Sequence, residues 1–202
     1  MKIIVISHPY WIEKENEAMR ILFENGLEYF HLRKPDATKY AYRVFLEKIN
    51  PDFHKHIIIH NHFELINEYK IKGVHLNSKA EEYSFMFSKH KSRSCHSFKE
   101  IIEYKAFFDY LFLSPVFDSI SKHNYKAGFL TQDLERASKK NIIDNKVIAL
   151  GGVDPTIVNQ IIKWNFGGIA VLGFLWEEYV LTKNIDKLLY NFTLLQKAIK
   201  NK

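Results

Sequence analysis

A chain of 202 residues, 47% of them hydrophobic, can bury one large core, and a single domain over residues 1–202 is the natural count. Its net charge of +6 comes from lysines spread along the whole length; the nearest thing to a basic block, Lys89–Arg93, has no aromatic interleaving, which argues for anionic small ligands and against a nucleic-acid groove. One cysteine excludes an internal disulfide, the first residues run straight into a strand without a signal peptide's apolar core, and no stretch approaches a membrane span, so a soluble cytoplasmic protein is expected.

Taken in order, short apolar runs alternate with helical spacing. Lys2–Ile6 reads as a strand ended by Ser7-His8-Pro9. Glu13–Glu24 places Ala18, Ile21 and Leu22 on one helical face and stops at Gly26. Glu28–Leu32 is the second strand, Arg33-Lys34-Pro35-Asp36 its exit loop, and Tyr40–Lys48 the next helix, which Asp36 is placed to cap. Ile57–Ile59 is the third strand, followed by His60-Asn61-His62 and a helix through Tyr69, with Asn61 as the candidate N-cap. Lys72–Leu76 precedes a short polar helix around residues 80–87; Arg93–Cys95, the fifth and weakest strand, precedes a helix over Phe98–Lys105. Asp109–Leu113 leads into a long loop to Gly128 and a helix near Gln132–Lys140.

Lys146–Leu150 is stopped by Gly151-Gly152. Asp154 then reads as N-cap and Pro155 as first residue of a helix that buries Ile157, Val158, Ile161 and Ile162. Gly167–Val171 is the eighth strand, ended by Leu172-Gly173 and a short helical turn at Phe174–Trp176, and Ile185–Ile199 closes the chain as an amphipathic helix. Eight such strand–helix units imply a parallel sheet covered by helices, either a single-domain (β/α)8 TIM barrel or, as the alternative, an open doubly wound sheet.

In a barrel the residues just after the strands share one face and carry the chemistry. The loops Gly151-Gly152 and Leu172-Gly173 leave backbone N–H groups free beyond adjacent parallel strands, with a helix behind one of them, which is the expected phosphate site. The other exits supply Arg33, Lys34, Ser94, Ser114 to Lys122 and several histidines, but only Asp36 and Asp118 as carboxylates, so nothing is placed to hold a hard divalent ion. His60 and His62 bracket the third exit; His60 is the candidate acid/base, against the plainer reading that one of the two faces solvent. His75 and His96 read as structural hydrogen-bonders and Cys95 as a small buried hydrophobe; His123 and Tyr125 lie in the long sixth loop, a candidate lid.

Together these residues resemble the thiamine phosphate synthase family, which includes the thiazole tautomerases (TenI proteins). The family's Q-L-R-E-K-like motif is matched by His31-Leu32-Arg33-Lys34-Pro35, its N-D-R/D motif by His60-Asn61-His62, and its G-x-H-[LI]-G-Q-x-D by Gly73 to Ala80. G-x-S-x-H-S is matched by Ser92 to Ser97, the G-P-V-F-x-T-x-T-K loop by Ser114 to Lys122, and the two glycine motifs by Ala149–Val153 and Gly168–Val171. The resemblance implies thiazole phosphate on the glycine loops and pyrophosphate on Arg33, Ser94, Ser119, Ser121 and Lys122, with Lys122 also counted among the catalytic groups.

The sequence departs from the synthases where their two magnesium carboxylates fall on Asn61 and Ala80 and a motif lysine on Pro35. It departs from the tautomerases where their histidine falls on Pro115. The expectation is therefore a tautomerase-like enzyme with no bound cofactor and a thiazole or thiamine phosphate as its small-molecule partner. Two alternatives stay open: a synthase, which would use Mg²⁺, and a non-catalytic binder. Neither nucleic acid nor membrane is an expected partner, and a homodimer stays open.

Overall fold

The computed structural model describes residues 1–77, 89–118 and 128–200. Eight parallel strands follow one another around a closed ring: β1 (Lys2–Ile6), β2 (Tyr29–Leu32), β3 (Ile57–Ile59), β4 (Gly73–Leu76), β5 (His90–Cys95), β6 (Tyr110–Leu113), β7 (Val147–Leu150) and β8 (Gly168–Val171). β8 pairs back onto β1, with Lys2 opposite Gly168 and Val5 opposite Val171, so the sheet has no edge and the open doubly wound alternative is excluded. The described helices are α1 (Glu15–Glu24), α2 (Lys39–Glu47), α3 (Phe98–Tyr104), α4 (Thr131–Lys139), α5 (Val158–Lys163), α6 (Gly173–Thr182) and α7 (Ile185–Lys200). This is a (β/α)8 barrel. No described helix is long and apolar enough to cross a membrane.

Two apolar layers hold it together. Outside the ring, helix faces pack on the strands; α1, for example, buries Ala18, Met19, Leu22 and Phe23. Leu22 is fully buried, and cutting it to alanine should cost roughly 2–5 kcal/mol. Inside the ring, Ile4, Ile6, Ile58, Tyr110, Phe112, Ile148 and Ala170 form a separate cluster. The interior is not wholly apolar: His31, His75 and Ser92 are buried as well.

Several boundaries differ from the sequence reading, each for a local reason. Thr38, not Asp36, caps α2; its Oγ1 accepts from the Ala41 N–H at 3.2 Å. A 3-10 segment at Pro51–His56 precedes β3, started by Asn50, whose side chain accepts from the Asp52 N–H. After β3 only a 3-10 segment, Phe63–Asn67, forms in place of a full helix. Its start is His62 in a left-handed conformation, and Asn61 does not cap it: the Asn61 amide donates to the Lys34 carbonyl at 3.4 Å.

β5 is the longest strand instead of the weakest, because pairing with β4 and β6 satisfies the backbone of its polar residues. α5 starts at Val158, later than Pro155; Asp154 accepts from the N–H and hydroxyl of Thr156, at 2.7 and 2.5 Å, and so closes a turn ahead of the helix. The turn at Phe174–Trp176 is the beginning of a ten-residue α6 that buries Leu175, Trp176 and Tyr179. Trp176 fastens that helix to the ring by donating Nε1–H to the Ile6 carbonyl at 2.7 Å. The helix expected around residues 80–87 lies outside the described residues.

Candidate active site

The strand exits surround a cavity of about 380 Å³. Arg33, His60, His75, Asn77, Ser94 and His96 line one side, Leu150 to Val153 and Val171 to Phe174 the other, and Ile6, Phe112 and Ala170 contribute apolar surface. Of the residues singled out in the sequence, Arg33, His60, Ser94, Gly151, Gly152, Leu172 and Gly173 thus share one cavity. Ser119, Ser121, Lys122, His123, Tyr125 and Ala80 lie outside the described residues.

The glycine side is built by close approach of two loops. Gly151 and Gly152 have φ of 101° and 62°, a region that glycine enters without a side-chain penalty. The Val116 and Phe117 N–H groups donate to the Leu150 and Gly151 carbonyls, at 2.9 and 3.2 Å, and a Cβ on Gly152 would lie 2.1 Å from the Asp118 carbonyl oxygen. Across from this loop, Gly173 and Phe174 begin α6. The first N–H groups of a helix have no intrahelical acceptor and sit at the positive end of its dipole, so this wall can hold an anion.

The opposite side is a chain of imidazoles and hydroxyls. His31 hydrogen-bonds through Nδ1 to His60 Nε2 at 2.9 Å and through Nε2 to the Tyr110 hydroxyl at 2.5 Å. His75 bonds through Nδ1 to Ser92 Oγ at 2.9 Å and through Nε2 to Ser94 Oγ at 2.8 Å. Burial holds all three histidines below their ordinary range; neighbouring imidazoles add to this for His31 and His60, and the Arg33 and Arg93 charges for His75, which is lowered to about 3. The three rings are therefore neutral at pH 7. A neutral His60 offers one N–H and one lone pair instead of a stored proton.

Lys34, grouped with Arg33 among the anion donors in the sequence, faces elsewhere. Its Nζ meets the Glu15 carboxylate at 2.6 Å, and both side chains are only 1% exposed. The same Nζ donates to the His8 and Tyr10 carbonyls at 2.8 Å each and lies 4.6 Å from the Trp11 ring centre. Burial pushes Lys34 down and Glu15 up, and their mutual attraction opposes both shifts. Lys34 is thus a bolt for the β1–α1 loop. His62 is structural too, with Nε2 at 2.8 Å from the Ala37 carbonyl oxygen. His96 also borders the cavity; its Nδ1 hydrogen-bonds to the Ser114 carbonyl at 2.9 Å. Cys95 is buried, its thiol pushed up to about 12, in keeping with a small hydrophobe.

Neither metal arrangement fits these residues well. The described cavity lining contains no carboxylate, and Asn61 spends its amide on a backbone carbonyl, so the donor set does not suit a hard divalent ion. The ligand atoms of His31, His60 and His75 lie within 4.8 Å of one another. However, the His60 and His75 rings stack with 24° between planes, so their in-plane lone pairs do not meet at one point, and both nitrogens of His75 already hold serines.

Sequence reasoning missed His31, Tyr110 and Ser92 as part of this site. Each sits inside a strand, and in a strand buried on both faces only the pairing register tells which side chains converge.

The chain matches the family profile described as thiamine monophosphate synthase over residues 3–175. The crystal structure of thiamine phosphate pyrophosphorylase from Bacteroides thetaiotaomicron is similar over 99% of this chain and 98% of its own, with 35% sequence identity and a TM-score of 0.89. Thiamine phosphate pyrophosphorylase from Pyrococcus furiosus shares the fold at 18% identity and TM-score 0.77, over 98% of this chain and 95% of its own. No curated protein sequence matches the chain. With the profile spanning nearly the whole barrel and a relative aligned end to end, the chain belongs to the thiamine monophosphate synthase (TMP-TENI) family.

Proposed function

We propose that the protein binds thiazole phosphate and acts as an isomerase of the tautomerase type, shifting a double bond in thiazole carboxylate phosphate without a metal. The observation that carries this reading is that one cavity joins the glycine loops to the neutral His60 while its described lining holds no carboxylate. Backbone groups of Gly151, Gly152, Leu172 and Gly173 would take the phosphate. Arg33, exposed at the rim, would balance its charge, and Ser94 would donate to it or to the carboxylate. Ser119, Ser121 and Lys122 would complete the anion contacts from the sixth loop, with Lys122 close enough in sequence to the anion donors to assist the proton shift. His60 would move the proton, in place of the histidine that tautomerases carry where this chain has Pro115.

A second reading, thiamine phosphate synthase, is favoured by the 35% identity to a pyrophosphorylase. It would join hydroxymethylpyrimidine pyrophosphate to thiazole phosphate, a reaction for which the family uses Mg²⁺. The two separate in one experiment. Purified protein is incubated with thiazole carboxylate phosphate and followed by proton NMR, and in parallel with both synthase precursors, with and without Mg²⁺. Isomerisation independent of Mg²⁺ is the expected result. Thiamine phosphate formed only with Mg²⁺ would replace this reading with the synthase, and conversion of neither mixture would leave a binder.

A further inference from the structure

We propose that Ser7 is a positioning residue for anion binding, its buried hydroxyl fixing the backbone of Arg33 so that the guanidinium is held at the cavity rim. This rests on the reading of Arg33 as an anion contact and is independent of which reaction follows.

The register of β1 and β2 sets Ile6 beside His31, and the Ser7 N–H donates to the His31 carbonyl at 2.9 Å. β1 has ended there, and the Ser7 side chain takes over from its backbone. Ser7 Oγ accepts from the Arg33 N–H at 2.8 Å and donates to the Arg33 carbonyl at 3.0 Å. A hydroxyl is the smallest side-chain group that can do both. Ser7 is 0% exposed, so water does not compete for either bond. The next peptide is held as well. The Lys34 N–H donates to the Tyr42 hydroxyl at 3.0 Å, the Lys34 carbonyl accepts from the Asn61 amide at 3.4 Å, and the Lys34 side chain ends on Glu15.

What this frame leaves free is the Arg33 side chain. Arg33 is exposed, lines the cavity, and has no hydrogen-bond or ion-pair partner for its guanidinium among the described residues. Its charge helps to hold His60 and His75 neutral, which places it near both rings. A guanidinium fork grips two oxygens of an anion only in a narrow geometry, and its long stem magnifies any rotation of the backbone that carries it. Fixing that backbone in advance lowers the ordering cost of binding. Ser7 does not line the cavity, so its influence on a ligand runs through Arg33.

Two measurements test the assignment, with inorganic phosphate as the probe. Hydrogen exchange should show the Arg33 backbone amide protected in the wild type and fast in Ser7→Ala, with the amides of β2 still protected. In calorimetry, Arg33→Gln should weaken phosphate binding about tenfold, the lower end of what a charge-assisted hydrogen bond supplies. Ser7→Ala should weaken it about fivefold, since the guanidinium is displaced and not removed, and should have no further effect once Arg33→Gln is present. A merely structural Ser7 would lower affinity equally in both backgrounds, and that result would overturn the proposal. So would wild-type affinity in Ser7→Ala. Should Ser7→Ala fail to fold, the shape-matched pair Ser7→Thr and Ser7→Val decides: the hydroxyl-bearing variant should bind phosphate more tightly, and equal affinities would overturn the role. Phosphate binding unaltered by Arg33→Gln would instead remove Arg33 from the anion contacts, and with it the reading on which the role of Ser7 rests.

Discussion

The imidazole of His60 lies stacked on that of His75, with ring centroids 4.3 Å apart and 24° between the planes. Two rings so placed cannot both be protonated without like-charge repulsion, and burial has removed the water that would screen it. The pair stays neutral, and that has consequences for stability as well as for proton transfer.

The first is pH dependence. His75 is lowered to about 3 from an ordinary 6.5, so below pH 6.5 the unfolded chain takes up a proton that the folded chain refuses until about pH 3. Stability contributed by this residue is present above about pH 6.5 and is lost as pH falls through that window, by up to about 1.4 kcal/mol per pH unit for each histidine held neutral. The fully buried His31 acts in the same direction. Urea midpoints should therefore decline steadily from pH 7 to pH 4; a flat profile would mean the cluster protonates without cost.

His60→Asn keeps a hydrogen-bonding group beside His31 but cannot relay a proton. Turnover of thiazole carboxylate phosphate should fall about 10²–10⁴-fold. Affinity for inorganic phosphate, measured by calorimetry, should change little, since the glycine wall is untouched. Wild-type turnover in this variant would return His60 to a structural role.

Gly152→Ala tests that wall. The new Cβ would meet the Asp118 carbonyl oxygen at 2.1 Å in a backbone conformation that already costs a non-glycine residue about 1–2 kcal/mol. The loop must move, and phosphate affinity should drop at least about tenfold, the equivalent of ~1.4 kcal/mol. Gly26→Ala is the control: φ there is 90°, but its Cβ would only touch Gln196 at 3.6 Å, so it should lower stability and leave affinity alone.

Lys34→Met would leave the Glu15 carboxylate buried without its cation. Breaking a buried pair from one side typically costs about 3–5 kcal/mol, whereas an apolar replacement of both partners is often close to neutral. Lys34→Met combined with Glu15→Leu should therefore recover most of what Lys34→Met loses in urea unfolding. A single variant as stable as the wild type would show that the pair does not hold the β1–α1 loop.

The barrel was legible because its signals are local. Apolar runs such as Lys2–Ile6 and Ile57–Ile59, stopped by polar or glycine-bearing turns, need only their own neighbours to be recognised. The glycine wall was legible for the same reason. β5 was under-read because His90, Lys91 and Ser92 look like a loop until the register sets His75 beside Ser92 and Ser92 beside Tyr110. Lys34 was misplaced because consecutive strand-exit residues point opposite ways, so it could not share the cavity with Arg33. The imidazole chain could not be found from spacing at all: its members lie far apart in sequence, and only ring closure brings them together.

That closure also sets an order of assembly. The histidine side draws on β2 to β6, residues 31 to 110, whereas the glycine side waits for residues 150 to 174 and for β8 to seal against β1. A chain emerging N-terminus first therefore carries its imidazole groups on an unfinished ring with exposed edges well before it has its glycine wall. Trp176, donating to the Ile6 carbonyl, fastens α6 to β1 only once this late segment has formed. A ligand that bridged both walls could be captured only by a finished ring, so any such ligand would act as a clasp, selectively retaining molecules whose first and last strands have met.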